Sequence, residues 1–509
     1  MEKNYLIGID VGTSATKTVL FDEEGNVTAS ASMAYPLLQP KNGWAEQRPE
    51  DWRDATFATV REVVSRSGVR PEKIRGIGIS GQMHGLVMLD EEGKVIRPSI
   101  IWCDQRTGEE VEDMLRRMPR RKWIEITANP PLTGWTAAKI LWVRKHEPEN
   151  YARCRHILLP KDYIRYVLTG VFATEVSDAS GMQLLDVPGR DWSEEVLQAL
   201  EIDRGLLGQV YESCQVTGTL TREAAERTGL TTDTKVVGGA GDNAAAAVGT
   251  GVVKDKTAFN SIGTSGGVFA HSSKVAIDLK GRVHTCCCAV PGAWHVMGVT
   301  QGAGLSLKWF KDQFCQDYSA RAEATGQDVY DRINEDVAGV PAGSDRLIYL
   351  PYLMGERTPH LDPDCRGVFF GLSAIHQRRH LLRAVMEGVA YSLCDCNEIL
   401  QEMGIRVDEM MACGGGGKSG QWRQMLSDLY RCPVKTVSQE EGPALGAAIL
   451  AGVGCGIYPD VETACERLIE EKEQVEPDEK QAKIYEAYHR LYQKLYQSLK
   501  DDFRELSGL

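Results

Sequence analysis

The sequence has 509 residues, of which 42% are hydrophobic and 25% charged, with a formal net charge of −13. A chain of this length exceeds what one hydrophobic core supports, so at least two domains are expected. The acidic balance argues against nucleic acid as a partner, and no apolar run approaches the roughly 18 residues of a membrane span. The first residues lead directly into a strand-like segment rather than a signal peptide, which predicts a cytoplasmic protein.

The chain begins with a predicted β-meander whose first hairpin has a Gly-Thr-Ser tip at residues 12–14. Residues 5–10 and 16–22 are predicted strands, and Asp10 ends the first of them, immediately before the tip. Small residues at such a tip can place several N–H and O–H donors around a phosphate oxygen. The alternative is a tight turn without a ligand, which a single tip of this kind would favour.

A predicted helix over residues 50–67 is followed by a predicted strand over 76–80 and a compact loop at 81–85. In this loop Met83 and His84 offer apolar surface and an imidazole to a polyol, although a lone loop histidine is more often structural. Residues 102–106 offer a second set of sugar-type contacts that includes Asp104. The alternative there is a strand end with a surface ion pair. Helical patterns dominate from about residue 105 to 230.

Asp242 lies in a glycine-rich turn after an apolar strand and is followed by Asn243. A kinase that acts on a hydroxyl group needs a carboxylate within hydrogen-bond reach of the attacking oxygen. An Asx-turn at the entry to the next helix explains the same residues equally well. Local sequence leaves the two interpretations about even.

A second strand–tip–strand unit resembles the hairpin at the start of the chain and has Gly-Thr-Ser at residues 263–265. Two such units in one chain predict two related domains that face a common phosphate site. Further on, the glycine run at 414–417 lacks the spacing of a P-loop but fits a turn that lies against a nucleoside. A helix is predicted over 480–503, with apolar residues along one face.

The 14 cysteines include a run of three, Cys286, Cys287 and Cys288, with His284 nearby. Adjacent residues of a strand point to alternate faces, so the three thiols cannot all reach one ion. They are expected to be reduced thiols that act as small core hydrophobes.

Taken in order, these segments resemble the FGGY family of carbohydrate kinases, and within it the enzymes that phosphorylate D-xylulose. The resemblance extends from residue 7 to about residue 454. It rests on residues 7–14, 81–85, 134–143, 159–163, 241–245, 263–266, 350–359 and 367–387.

The resemblance implies an α/β fold of two actin-like (ribonuclease H-like) domains with a catalytic cleft between them. Residues 1–247 would bind the sugar and carry the first tip, and residues 248–509 would bind the nucleotide and carry the second. It also implies transfer of the γ-phosphate of ATP to O5 of D-xylulose, Mg²⁺ as the cofactor, D-xylulose 5-phosphate and ADP as the products, and a possible homodimer.

Individual roles also follow from the resemblance. Asp242 would be the catalytic base, and Asp10 would be the carboxylate that holds Mg²⁺ against the phosphates. The sugar would contact Met83, His84, Asp242, Asn243 and Asp104. The nucleotide would be bordered by Thr13, Ser14, Lys17, Thr264, Gly304, Gly415 and Gly416.

Three alternatives stay open from the sequence. One is a kinase for ribulose or another ketose, and another is an actin- or Hsp70-like ATPase that binds protein. The third is a catalytically silent sugar-binding regulator. The loop at 81–85 speaks against the ATPase, and the intact Asp10 and Asp242 speak against the silent regulator.

Overall fold

The computed structural model describes residues 3–439 and 441–509. They form two α/β units, each built on a seven-stranded mixed sheet. The strands before residue 250 are β1 (Tyr5–Val11), β2 (Ala15–Asp22), β3 (Val27–Ala34), β4 (Glu46–Gln47), β5 (Ile74–Gly81), β6 (Val87–Leu89), β7 (Ser99–Ile100), β8 (His156–Leu158), β9 (Ala173–Glu175), β10 (Leu185–Asp186), β11 (Asp191–Trp192), β12 (Gln209–Tyr211), β13 (Val216–Thr219), β14 (Lys235–Val237) and β15 (Ala240–Gly241). The helices of the same part are α1 (Pro49–Ser67), α2 (Gly108–Arg117), α3 (Arg120–Thr127), α4 (Thr136–His146), α5 (Pro148–Arg153), α6 (Pro160–Thr169), α7 (Val176–Ala179), α8 (Glu194–Leu200), α9 (Arg222–Thr228) and α10 (Asp242–Gly249).

The second part of the chain supplies the other large sheet. Its strands are β16 (Thr257–Ile262), β17 (Gly266–Ser272), β18 (His284–Cys287), β19 (Trp294–Thr300), β20 (Ile348–Leu350), β21 (Val368–Phe370), β22 (Glu409–Cys413), β23 (Val434–Val437) and β24 (Glu471–Val475). Its helices are α11 (Gly304–Phe314), α12 (Gln316–Thr325), α13 (Val329–Ala338), α14 (Arg378–Glu402), α15 (Gly414–Gly417), α16 (Gly420–Tyr430), α17 (Gly442–Gly454), α18 (Val461–Leu468) and α19 (Glu479–Ser507).

The two sheets share one topology. The path β3–β2–β1–β5–β14–β13 of the first corresponds to β19–β17–β16–β22–β23–β24 of the second. In both, an antiparallel meander is followed by two parallel strands and an antiparallel edge strand. This duplication confirms the two related domains that the paired tips predict and the α/β fold of two actin-like (ribonuclease H-like) units that the family resemblance implies.

The predicted helix over residues 50–67 is α1, which begins with Pro49 and ends at Gly68. Proline suits the first turn because its missing N–H has no helical partner there. Gly68 has a φ of 67°, the left-handed conformation that commonly ends a helix. Trp52, Val60 and Val63 on the buried face of α1 belong to the same hydrophobic cluster as β1, β2 and β5.

Helix α17 packs against the first sheet, although it lies more than 400 residues into the chain. Glycines make this close approach possible. A Cβ atom added to Gly8 of β1 would lie 1.8 Å from the carbonyl oxygen of Ala444, and one added to Gly78 of β5 would lie 1.8 Å from that of Ala447. Any side chain at these positions would push α17 away from the sheet.

Strand β18 is an edge strand of the second sheet that contacts the first unit. The Cys287 N–H donates to Ser180 Oγ at 3.0 Å, and the Asn129 side-chain amide donates to the Thr285 carbonyl oxygen at 2.8 Å. Cys286, Cys287 and Cys288 are all buried, and Cys287 packs into a hydrophobic cluster of the first unit. The three thiols are therefore buried, as expected of small core hydrophobes, and Cys287 contributes to the contact between the two units.

None of the helices in the described ranges combines the length and the apolar character that a bilayer crossing requires.

Candidate active site

Two carboxylates meet at one edge of the first sheet. Asp10 of β1 pairs with Ser80 of β5, and Ser80 pairs with Ala240 of β15. Asp242 follows β15 directly as the first residue of α10. Because these three strands are parallel, their carboxyl ends share an edge, and the charge of Asp10 acts on Asp242.

Asp10 keeps one carboxylate oxygen available. Ser80 Oγ donates to Asp10 Oδ1 at 3.1 Å, while Oδ2 accepts no hydrogen bond from any residue that the structure describes. Burial raises the pKa of Asp10, and the Ser80 hydroxyl and the charge of Lys17 partly offset this. Lys17 lies directly opposite Asp10 across the β1–β2 hairpin. A carboxylate with a free oxygen beside small hydroxyl residues fits a hard cation such as Mg²⁺.

Asp242 is held by its neighbour on one side only. The Asn243 N–H and side-chain amide both donate to Asp242 Oδ1, at 2.8 and 2.9 Å. Its Oδ2 accepts no hydrogen bond within residues 3–439 and 441–509. Burial, followed by the negative charge of Asp10, raises the pKa of Asp242 to about 7, and the bonds from Asn243 oppose this. The side chain thus presents one unbonded oxygen with the basicity of a catalytic base near neutral pH.

Met83 and His84 lie beside this edge. A Cβ atom on Gly241 would be 2.9 Å from Met83 Sδ, so the thioether packs directly against the residue before the base. The His84 backbone has a φ of 66°, and its carbonyl oxygen accepts a hydrogen bond from Lys139 Nζ at 2.7 Å. These contacts hold the loop in a fixed position.

The His84 ring has a defined protonation state. Its Nδ1 is 2.8 Å from the Gly181 carbonyl oxygen, and burial lowers the pKa of His84 to about 3. The imidazole is therefore neutral at physiological pH. Because a carbonyl oxygen can only accept, Nδ1 carries the proton and Nε2 is left as an acceptor for a ligand hydroxyl.

The structure does not bring Asp104 into this group. One of its carboxylate oxygens accepts the Ala45 N–H at 2.6 Å, and both accept hydrogen bonds from Arg106. The side chains of Asp104 and Arg106 are 0% and 1% exposed. The neighbouring Trp102 is the residue of this segment that reaches the first tip, since its indole N–H donates to Thr13 Oγ1 at 3.0 Å.

The first hairpin is held by contacts on both sides of its tip. The Thr13 carbonyl oxygen accepts a hydrogen bond from Gln47 Nε2 at 2.7 Å, which fixes the backbone next to Ser14. Lys17 Nζ forms an ion pair of 2.5 Å with Glu441, the residue just before α17. The first hairpin is thus linked to the start of α17, the helix that packs on the first sheet.

The remaining predicted nucleotide residues meet at the end of β16. The Gly304 N–H donates to the Gly263 carbonyl oxygen at 2.8 Å, and the Leu305 N–H donates to that of Thr264 at 3.1 Å. Gly416 backs onto Ile262, where an added Cβ atom would be 2.4 Å from a methyl group, whereas Gly415 has no heavy atom within 4 Å of such a position. Of these glycines, Gly415 is therefore the one with free space beside its Cα atom.

Arg357 has no individual role in the sequence-based prediction and occurs there only within the motif at 350–359. Its positive charge contributes to the low pKa of both His84 and His284. Arg357 is thus a residue of the second unit that lies beside the His84 loop of the first. No local pattern distinguishes such an arginine from an ordinary loop residue.

The comparisons with known proteins identify the family. The model of the N-terminal domain of FGGY carbohydrate kinases matches residues 5–249, and that of the C-terminal domain matches residues 258–455. The chain is 39% identical to the xylulose kinase of Bacillus subtilis (strain 168), over 98% of this chain and 97% of that protein. It is 31% identical to the gluconokinase of the same organism, over 99% and 98% of the two chains.

The crystal structure of a xyloylose kinase from Brucella ovis superposes with a TM-score of 0.90 and 34% identity, covering 98% of this chain and 100% of that one. Two family models in chain order and similarity over nearly the whole length agree with the doubled fold. The chain therefore belongs to the FGGY family of carbohydrate kinases, enzymes that use ATP to phosphorylate a sugar.

Proposed function

We propose that this kinase transfers the γ-phosphate of ATP to O5 of D-xylulose. The observation that carries the proposal is the unbonded Oδ2 of Asp242, on a carboxylate whose pKa is raised to about 7 and which lies next to Met83. Similarity to the xylulose kinase of Bacillus subtilis supports D-xylulose as the acceptor.

In the proposed reaction, Asp242 Oδ2 accepts the proton of the O5 hydroxyl as that oxygen attacks the γ-phosphorus of ATP. The new O5–P bond forms while the bond from phosphorus to the β,γ-bridging oxygen breaks, and ADP leaves. D-xylulose 5-phosphate is the other product. Asn243 holds Oδ1 of the base, so that Oδ2 stays directed toward the acceptor.

Asp10 is the residue that we propose for Mg²⁺, because it combines a free carboxylate oxygen with a position beside the base. When bound there, the cation would neutralise negative charge on the phosphates of ATP. The hydrogen bond from Ser80 to Oδ1 would orient the Asp10 carboxylate and leave its Oδ2 free for the cation.

The geometry supports proposals for the other contacts. His84 would accept a sugar hydroxyl at Nε2, Met83 would pack against the carbon chain and Asn243 would flank the base. Asp104 would act indirectly, by holding the loop that carries Trp102. The residues proposed to border ATP are Thr13, Ser14, Lys17, Thr264, Gly304, Gly415 and Gly416.

We also propose that the sugar-binding domain ends at residue 247 and the nucleotide-binding domain begins at residue 248. Helix α17 belongs to the second range in sequence but packs on the first sheet. A homodimer and a cytoplasmic location complete the proposal. Size-exclusion chromatography with light scattering would test the first of these, since a monomer at micromolar concentration would contradict it.

An ADP-release assay across acceptors tests the function. The panel contains D-xylulose, D-ribulose, gluconate, glycerol and an aldopentose, each with and without Mg²⁺. We expect the highest kcat/KM with D-xylulose and no turnover without the metal. Preference for glycerol, gluconate or an aldose would refute the acceptor, and ATP turnover independent of any sugar would favour an ATPase.

The pH dependence of kcat/KM is expected to report on Asp242. The protonated carboxyl cannot accept a proton, and burial together with Asp10 raises its pKa to about 7. Below that pH the rate should therefore fall about tenfold per pH unit, and above it the rate should level off. Steady-state rates with D-xylulose between pH 5.5 and 8.5 at saturating MgATP measure this limb, and a flat profile would contradict it.

The variant Asp10→Asn is expected to need more Mg²⁺. Loss of a charged ligand oxygen should raise the half-saturating Mg²⁺ concentration by about 10- to 100-fold, the range for a lost contact to a charged group. Initial rates titrated with Mg²⁺ at fixed ATP measure it. Asp233→Asn, an exposed turn residue, is the control, and an unchanged Mg²⁺ requirement in Asp10→Asn would exclude Asp10 as the ligand.

A further inference from the structure

The backbone on both sides of Arg357 is anchored to the second sheet. The buried Glu356 carboxylate accepts the N–H groups of Gln301 and Arg357, both at 2.7 Å. The Thr358 N–H donates to the Val299 carbonyl oxygen at 2.9 Å, and the Thr358 hydroxyl donates to that of Arg282 at 2.7 Å. Four hydrogen bonds therefore fix where the Arg357 side chain begins.

The Arg357 guanidinium itself has no partner. It makes no hydrogen bond or ion pair with any residue in the two described ranges, and the side chain is accessible to solvent. Burial nevertheless lowers the pKa of Arg357, and the negative charge of Glu356 opposes this. A guanidinium carries five N–H donors, and here all five are available.

A row of neutral rings lies beside this cation. His84 stacks on Trp135 with ring centroids 4.5 Å apart, and Trp135 lies 5.5 Å from His284. This row runs from the loop of the first unit to β18 of the second. Burial lowers the pKa of His84 to about 3 and that of His284 to about 4. The row therefore supplies no negative charge to balance Arg357.

The position of Arg357 relative to the base follows from the same contacts. Met83 packs on Gly241, next to Asp242, and His84 is one residue further along the loop. The charge of Arg357 acts on His84 and His284, whereas the groups that act on Asp242 are Asp10 and Asn243. An acceptor with one end at Asp242 would thus extend past Met83 toward His84 and Arg357.

A cation in a partly desolvated site is costly unless a partner compensates it. The negative charge of Glu356 acts on Arg357, but the Glu356 carboxylate is bonded to backbone N–H groups and no side chain in the described ranges bonds to the guanidinium. The hydrogen-bonding partner is therefore expected to arrive with the substrate. We propose that Arg357 binds the oxygen-bearing end of the acceptor remote from the transferred phosphoryl group, which in an open-chain ketose is the carbonyl end. This assignment rests on the proposed function and adds a residue that determines specificity.

A forked donor suits a carbonyl oxygen with an adjacent hydroxyl group, because two N–H groups can point to two neighbouring oxygens. An alcohol at C2 lacks the planar acceptor and is itself a donor. Arg357 would therefore favour a ketose over the alcohols obtained by reducing it at C2. Lysine, which has no fork, would restore only part of this preference.

The test compares D-xylulose with its two C2-reduced alcohols, xylitol and D-arabitol. Steady-state kinetics are measured for the wild type, Arg357→Gln and Arg357→Lys, with Arg321→Gln on the exposed face of α12 as the control. In Arg357→Gln we expect the KM for D-xylulose to rise about 10- to 100-fold, as for a lost bond to a charged group. The kcat/KM ratio of ketose to alcohol should fall by about tenfold or more on the same basis.

The KM for ATP and the melting temperature of Arg357→Gln should match those of the wild type, because the guanidinium holds no protein group. If Arg357→Gln lost kcat/KM equally for the ketose and for the alcohols, a role of Arg357 in recognising the carbonyl end would be refuted. An increase confined to the KM for ATP would instead place Arg357 at the phosphates.

Binding of D-xylulose without ATP, measured by calorimetry, separates this proposal from the proposed function. If the wild type binds D-xylulose but Arg357→Gln binds it equally well, the Arg357 assignment fails while the kinase assignment stands. If the wild type neither binds nor phosphorylates D-xylulose, the proposed acceptor fails. The ketose-to-alcohol comparison is then made with the ketose that the wild type prefers, and an unchanged ratio there refutes the role of Arg357.

Discussion

Asp242→Asn is expected to lower kcat by roughly 10²–10⁴-fold, the usual contribution of a general base, with little change in the affinity for ATP. The amide keeps the shape of the side chain, and its oxygen can still accept the bonds that Asn243 donates to Oδ1. What it loses is the unbonded carboxylate oxygen, whose basicity burial and Asp10 raise. ADP release at saturating D-xylulose and MgATP measures kcat.

The control for this variant is Asp233→Asn, which removes a carboxylate from an exposed turn and should leave kcat within about twofold, as expected for a surface substitution. ATP affinity is measured separately by calorimetry, so that a binding defect is not taken for a chemical one. If Asp242→Asn phosphorylates the sugar at a near-normal rate, another group is the base. The pH limb near 7 should also disappear in this variant, because the residue that titrates is gone.

The local sequence around Asp242 could not separate a catalytic base from an Asx-turn, and the structure shows why. Asn243 bonds to Oδ1 in a local arrangement of the kind that an Asx-turn predicts, while Oδ2 remains free. The deciding feature is the pairing of β1 and β15 with β5, which places Asp10 and Asp242 on one edge. Strand pairing between distant segments is not visible in a local pattern, whereas the duplicated tips were visible and predicted the doubled fold.

Asp104 and Arg357 show that sequence alone does not reveal whether a charged side chain has a partner in the protein. Asp104 stands beside Trp102 in a segment that offers sugar contacts, yet Arg106 and the Ala45 N–H occupy its carboxylate. Arg357 stands beside Glu356, which suggests a local ion pair, yet Glu356 bonds to backbone N–H groups and leaves the guanidinium free. Whether a charge is satisfied depends on tertiary contacts, which local spacing does not report.

The middle of the first unit was only partly predictable. Helical patterns dominate residues 105–230, and α2 to α9 lie there, but so do the strands β8 to β13. Most of these strands have two or three residues, too few to show the alternation that identifies a strand. Longer elements such as α1 and α19 were predicted to within a few residues.

Gly78→Ala is expected to destabilise the first unit by about 3 kcal/mol or more, at the upper end of the range for overpacked cores. The new methyl group would lie 1.8 Å from the Ala447 carbonyl oxygen, a backbone atom that cannot rotate away. Helix α17 would have to move off β5, although the glycine contacts at Gly8 and Gly446 hold it against β1 and α10. The melting temperature of a unit of this size should fall by about 6–12 °C, at roughly 2–4 °C per kcal/mol.

Gly267→Ala is the matched control, since it makes the same chemical change inside a strand, β17 of the second sheet. An added Cβ atom there would have its nearest neighbour at 3.4 Å, which is an ordinary contact. Thermal unfolding followed by circular dichroism should therefore leave Gly267→Ala close to the wild type and shift Gly78→Ala strongly. Equal melting temperatures for the two variants would mean that α17 does not rest on the sheet at this distance. Because Glu441, the residue before α17, forms an ion pair with Lys17 of the first hairpin, Gly78→Ala should raise the KM for ATP even in the fraction that remains folded.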